Sequence, residues 1–131
     1  MKTLIVEDDF TSRLLLQTFL SRYGECHIAV NGAEAVEACK LSRDRGSPYN
    51  LICMDVLMPS MDGGEAVRQV RELEEGSGTL STSGAKIIMT TNVDDMSTVV
   101  RSFKNLCDAY LKKPVDLGKL LEHLKTFGLI P

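Results

Sequence analysis

Along this chain, short unbroken apolar runs alternate with stretches in which apolar residues recur every three or four positions. The first pattern predicts buried strands, the second helices with one apolar face. Thr3 to Val6 is the first strand-like run, and Leu14, Leu15, Phe19 and Leu20 follow at helical spacing. Cys26 to Val30 reads as a second, weaker strand. Asn31-Gly32-Ala33-Glu34 then reads as a helix start, with Asn31 as cap and Glu34 three residues on. Ala35, Val36 and Cys39 give that helix its apolar side. Leu51 to Met54 is continuously apolar, which predicts a central strand covered on both faces. Pro59 and Asp62-Gly63 punctuate a turn, Ala66, Val67 and Val70 mark the next helix, and Ile87 to Met89 is a fourth strand. Met96, Val99, Val100 and Phe103 stand at i, i+3, i+4 and i+7 of an amphipathic helix. Cys107 to Leu111 is the fifth strand, stopped by Pro114, and Leu117, Leu120, Leu121 and Leu124 give the last helix.

Five repeats of strand then helix predict an α/β fold, a parallel sheet with helices on both faces. Of the two common doubly wound strand orders, 2-1-3-4-5 would make the third strand central. Two long connections, Ser42 to Pro48 and Glu75 to Gly84, each run from a helix to a strand. They therefore belong at the N-terminal edge of the sheet, away from where such folds bind ligands. Gly76 to Gly84 has the composition of a mobile surface loop.

At the other edge the strands break into chemistry. The first ends in Glu7-Asp8-Asp9, the third in Asp55, the fourth in Thr90-Thr91-Asn92 and the fifth in Lys112-Lys113-Pro114. In the 2-1-3-4-5 order, the ends of the first and fourth strands lie ~5 Å from the third, and Lys113 lies ~10 Å off, most of which a lysine can reach. Carboxylates gathered this closely repel: at ~4 Å and an effective dielectric near 20, each pair costs about 4 kcal/mol. Lys113 supplies one compensating charge, and a hard divalent cation such as Mg²⁺ or Mn²⁺ would supply the rest. The plainer alternative is that the acids cap helix N-termini, and Asp9 is expected to do so. With a cation present, a carboxylate can act as a nucleophile toward a phosphoryl group, and Thr91 could donate its hydroxyl to it. A threonine bonding to its own backbone is the simpler role for Thr91.

Bulk properties narrow the choice further. The 131 residues fit one domain over 1–131, and 44% hydrophobic with 25% charged residues is ordinary for a soluble one. No apolar run nears the ~20 residues of a membrane span, the N-terminus lacks a signal peptide, and a cytoplasmic location is expected. A net charge of −3 without a basic cluster argues against direct nucleic-acid binding. Cys26, Cys39, Cys53 and Cys107 have neither zinc nor redox spacing and read as buried reduced thiols.

These residues together resemble the receiver domain of bacterial response regulators, of the CheY-like, flavodoxin-like kind. Met54-Asp55-Val56-Leu57-Met58-Pro59 with Asp62-Gly63 is similar to the family's D-x-x-M-P…D-G. Leu4 to Asp9 resembles its acidic opening, Ile87 to Thr91 its fourth strand, and Tyr110-Leu111-Lys112-Lys113-Pro114 its lysine-proline ending. The likeness covers essentially the whole chain. It implies that Asp55 is the phosphoacceptor, that Glu7 and Asp8 are the acidic pair, and that Arg13 follows them at the family's spacing. It implies metal contacts from Asp8, Asp55 and the Leu57 carbonyl, with Glu7 acting through water. Thr91 would follow the phosphoryl, Lys113 would contact it, and Tyr110 would be the aromatic that reports the active state, or else a half-buried strand tyrosine. The Lys113–Pro114 peptide is often cis in the family.

The chain departs from the pattern at Asn92, where the family prefers a small residue, and has apolar Leu57 and Val93 at two flanking variable positions. Neither apolar side chain can orient an attacking water, so the phosphorylated state is expected to be long-lived. The resemblance implies a histidine kinase or phosphotransfer protein as donor and a separate protein target. Since no output domain follows, that target would be read by the last two helices and fifth strand, through Met96, Val99, Tyr110 and Lys119, unless Met96 and Val99 are simply core. Catalysis would extend only to the chain's own phosphorylation and dephosphorylation. A phosphate sink without a target shares this chemistry. A haloacid-dehalogenase-like phosphatase would need its nucleophile on the first strand, a mononucleotide binder would meet repulsive acids, and a pseudo-receiver would not need the full set of Asp8, Asp55, Thr91 and Lys113.

Overall fold

The computed structural model describes residues 1–56, 63–79, 84–92, 96–103 and 106–131. Five parallel strands form one sheet in the order β2-β1-β3-β4-β5. They are β1 (Thr3–Val6), β2 (Cys26–Ala29), β3 (Leu51–Asp55), β4 (Lys86–Thr91) and β5 (Ala109–Lys112). The helices are α1 (Phe10–Leu20), α2 (Gly32–Asp44), α3 (Gly63–Gly76), α4 (Met96–Phe103) and α5 (Leu117–Thr126).

The continuous apolar strands are buried on both faces, and alternate residues feed two separate cores. Leu4, Val6, Ile52, Met54, Ile87 and Met89 pack with Ala35 and Cys39 of α2, Ala66, Val67 and Val70 of α3, and Val99 of α4. Ile5, Leu51, Cys53, Ile88 and Leu111 pack on the opposite face with Leu16 and Leu20 of α1 and Leu120 and Leu124 of α5. Period-two alternation in each strand thus sorts side chains to three helices on one side and two on the other.

Local signals set the helix starts. Asp9 caps α1 by accepting from Ser12 N at 2.9 Å. Asn31 accepts from Glu34 N at 2.8 Å, and the Glu34 carboxylate reaches back to Val30 N at 3.0 Å, one residue beyond the usual capping-box partner. Asp116 caps α5 through Lys119 N. The Lys113–Pro114 peptide is cis.

Several expectations need correction. On α1 it is Leu16 and Leu20 that enter the core, whereas Leu14 and Leu15 are exposed. The run Leu14-Leu15-Leu16 offers three registers, and packing against α5 and the sheet selects the third. The second strand ends at Ala29 and the fifth begins at Ala109. Helix α2 runs to Asp44 and α3 to Gly76, which shortens both long connections. Val99 is buried in the core beside α2 and α3, so it offers nothing to a partner. The mobile-loop expectation falls partly on residues 80–83, outside the described residues. Among the four cysteines, Cys39 and Cys53 are buried and Cys26 and Cys107 half-buried, all free. Burial pushes the thiols of Cys39, Cys53 and Cys107 up to about 12, which leaves them protonated.

Candidate functional site

The sheet register places the polar strand ends side by side. Asp55 stands opposite Thr90, and Thr91 opposite Lys112. The backbone continues these ladders past the strands: Glu7 N donates to Ala29 O at 3.1 Å, Val56 N to Thr90 O at 3.1 Å, and Lys113 N to Thr91 O at 2.8 Å. Each functional side chain is therefore held by a residue whose own backbone is fixed by a neighbouring strand.

Lys113 closes the arrangement. Its Nζ lies 2.7 Å from Glu7 Oε1 and 3.1 Å from Asp55 Oδ2, so the side chain spans the whole gap between two strands. Glu7 is 1% exposed and Asp55 6%, which makes this a buried charge cluster rather than a surface ion pair. Burial, together with the hydrogen bond that a protonated Glu7 donates to the neighbouring Asp55 carboxylate, pushes Glu7 above the ordinary glutamate value, and Lys113 opposes this. Burial works against the Lys113 ammonium, but its bonds to Glu7 and Asp55 win and hold its pKa above that of a free lysine.

Asp8 is exposed at the rim. Carboxylate oxygens of Glu7, Asp8 and Asp55 all lie within 4.8 Å of one another. Three oxygen donors, negative in excess of the one ammonium among them, fit a hard divalent cation such as Mg²⁺. Two supports were not evident from the sequence. Asp9 N donates to Glu7 Oε2 at 3.2 Å, and Arg13 Nη1 donates to the Glu7 carbonyl at 3.2 Å, so the first turn of α1 holds the acidic loop. Only the spacing of Arg13 had hinted at the second.

A cavity of about 140 Å³ opens beside Asp55, lined by Thr91, Asn92 and Lys113. The Thr91 hydroxyl is buried and has no hydrogen-bond partner among the described residues. Such an orphan is costly unless a ligand meets it, and it does not bond to backbone as the simpler reading of Thr91 supposed. Tyr110 pairs with Met89, two residues before Thr91 on the same face of β4. Its half-buried ring packs on the core. Its hydroxyl is also buried without a nitrogen or oxygen partner among the described residues, and burial together with the adjacent Cys107 raises it to about 12. Asn92 is exposed at the cavity mouth. Leu57 and Val93 lie outside the described residues.

This fold and strand-end cluster have clear relatives. The response regulator receiver domain family matches residues 3–125, and the chain belongs to that family. It is 31% identical over 127 residues to the transcriptional regulatory protein CrdR of Helicobacter pylori, covering 96% of this chain and 54% of that protein. The chain spans about half of that relative's length and 4 to 15% of several histidine kinases that it also matches.

Among solved structures, the receiver domain of the histidine kinase CKI1 from Arabidopsis thaliana, complexed with Mg²⁺ and BeF₃⁻, superposes with a TM-score of 0.80 at 29% identity. The match covers 97% of this chain and 89% of that one. A co-crystal of the Saccharomyces cerevisiae phosphotransfer protein Ypd1 with the receiver domain of Ssk1 gives 0.79 at 29% identity, over 98% and 88%. No helix among the described residues is long and apolar enough to cross a membrane.

Proposed function

We propose that this chain is a phosphorylation switch that accepts a phosphoryl group on Asp55 from a phosphohistidine, on a histidine kinase or a phosphotransfer protein, and changes its binding to a protein target. The observation that carries this reading is the Lys113 bridge to Glu7 and Asp55, set beside an orphaned Thr91 hydroxyl in one cavity. A carboxylate oxygen of Asp55 attacks phosphorus; an O–P bond forms as the donor's P–N bond breaks, and the imidazole leaves neutral after taking a proton. Mg²⁺ held by Asp8 and Asp55, with the Leu57 carbonyl and with Glu7 through water, would neutralise charge on the transferring group. Lys113 stays paired with the phosphoryl oxygens, and Thr91 donates its hydroxyl to one of them. Water later cleaves the acyl phosphate. The chain thus acts only on its own phosphorylation state, and the chemistry suits a cytoplasmic protein.

Donor and target use different faces. Phe10 and Leu14 of α1 are 65% and 49% exposed beside the acidic loop, an apolar surface suited to a donor that must bring its histidine to Asp55. Met96, Tyr110 and Lys119 reach the surface on α4, β5 and α5 and suit the target, with Tyr110 changing conformation alongside Thr91. Incubation with acetyl phosphate and Mg²⁺ tests the central step. Intact mass should rise by one phosphate, and Asp55→Asn should abolish the gain. No gain in the wild type sinks the reading.

A further inference from the structure

Helix α3 begins with two adjacent glycines, and each is pressed against a different part of the molecule. A Cβ on Gly63 would overlap the Asp55 carbonyl oxygen and crowd Val56 Cα. Gly63 N also donates to Val56 O at 2.9 Å, so this residue is bound to the backbone of the phosphoacceptor strand. A Cβ on Gly64 would overlap the ring of Phe103. Phe103 is the last residue of α4, and its ring sits half-buried against the core that α3 shares. The Arg68 guanidinium, one turn further along α3, lies 5.0 Å from the centre of that ring. The Phe103 carbonyl accepts from both Leu106 N and Cys107 N, so its backbone also ends the helix.

A continuous chain of contacts therefore runs from Asp55 to Gly63, across one peptide bond to Gly64, and through the Phe103 ring into α4. We propose that Phe103, seated on Gly64, is the latch through which a change at Asp55 repositions α4. The inference rests on the phosphoacceptor reading and names the route by which that site reaches its output helix. Side-chain packing is dense enough that a displaced first turn of α3 cannot leave the ring where it was. The glycine is needed because any side chain there would push the ring, and α4 with it, off the seat. Gly63 ties the same turn to Asp55, so the turn cannot move independently of the strand end. Nothing else among the described residues of α4 is clasped in this way: Val99 meets only the common core, and Met96 is half-exposed.

Amide hydrogen exchange across residues 96–103 tests the latch, read before and after adding Mg²⁺ with beryllofluoride, an unreactive phosphoryl analogue. In the wild type the analogue should change exchange in α4. Phe103→Ala should reduce that response by roughly 2- to 30-fold, the span that single-residue couplings take. Gly64→Ala should disturb α4 strongly when Phe103 is present and little in the Phe103→Ala background, where the added methyl meets no ring. Should Phe103→Ala fail to fold, Phe103→Leu carries the same comparison with a smaller plug. Mass gain from acetyl phosphate should persist in every variant. An unchanged α4 response without the ring, equal effects of Gly64→Ala in both backgrounds, or an α4 that never responds in the wild type would each overturn the latch. Because phosphorylation is read separately, those results would leave the role of Asp55 standing.

Discussion

Both edges of the sheet bury charge, and they balance it differently. At the N-terminal edge, Arg71 donates through Nε to Leu106 O, through Nη1 to Glu74 and Ala85 O, and through Nη2 to Asp108. The carboxylates are filled in turn: Glu74 Oε2 accepts from Ala85 N, Asp108 Oδ2 from Ile87 N, and Lys86 lies 3.9 Å from Asp108. Two cations meet two anions, and the fork of the guanidinium is used on every side. At the C-terminal edge, among the described residues, three carboxylates meet one ammonium, and the Thr91 hydroxyl has no hydrogen-bond partner. The first cluster is closed and holds α3, β4 and the entry to β5 together. The second is open: among the described residues it carries more negative than positive charge, and the buried Thr91 donor is unmet. Closure marks structure, and the surplus marks chemistry.

The contrast can be broken first by removing its two central residues. Arg71→Ala strands buried Glu74 without its partner, and breaking such a pair costs about 3–5 kcal/mol. Arg71→Lys should recover little, because an ammonium cannot reproduce the planar fork. Asp55→Asn leaves Lys113 paired with Glu7 and relieves a like-charge contact, so stability should hold or rise while phosphorylation is lost. Urea unfolding of the three variants decides the matter. Equal losses for Arg71→Ala and Asp55→Asn would show that the site is as structural as the far edge.

A smaller effect comes from pH and metal together. Glu7 holds its proton more tightly in the folded chain than its ordinary value of 4.5 allows. Its contribution to stability is therefore fully present below 4.5 and is lost as pH rises through the higher folded value. Lys113, also raised, acts in the same sense but only above 10.5, and Asp9, lowered, acts below 3.8, so neither overlaps this window. A cation needs the deprotonated carboxylate. Metal-free protein should thus lose stability from pH 4.5 upward, and Mg²⁺ should restore it increasingly over the same range, by about 2.7 kcal/mol at a hundred times its dissociation constant. Glu7→Gln should flatten both trends. Thermal melts at several pH values, with and without Mg²⁺, measure this; a Gln variant that keeps the wild-type slope would assign the proton elsewhere.

How far these differences could be read in advance depends on the distance between partners. The edge that carries the cluster was legible because each apolar run breaks into its polar group within one or two residues, at Glu7, Asp55, Thr91 and Lys113, and the strand order because doubly wound sheets commonly adopt few orders. The closed cluster was not, since Arg71 finds its partners up to 37 residues away and nothing in its neighbourhood distinguishes it from a surface arginine. The register of α1 was hidden by three consecutive leucines, any of which could face inward. Val99 was open between core and output face, because its spacing on the amphipathic stripe predicts that a residue shares a face without saying whether that face is covered; it is core. Phe103 lay on the same stripe, yet its seat depends on a missing side chain at Gly64, and an absence at one position carries no sign of what fills it.

The smallest expected change in stability, and the one most particular to this chain, concerns how long the open edge stays filled. Loss of the phosphoryl needs a water placed in line with the acyl phosphate bond, and a polar side chain flanking the site can hold that water. Leu57 and Val93 flank Asp55 and Thr91 in sequence and can neither donate nor accept a hydrogen bond. Asn92, by contrast, is polar and exposed at the cavity mouth. Leu57→Asn with Val93→Glu would supply the missing polar groups while Glu7, Lys113 and Asp55 themselves stay as they are, so phosphate should be lost faster with folding stability held. Intact mass followed over time, after acetyl phosphate is removed, gives the decay directly. An unchanged decay in the double variant would mean that the lifetime is set by Thr91 and Lys113, which line the cavity, rather than by positions 57 and 93.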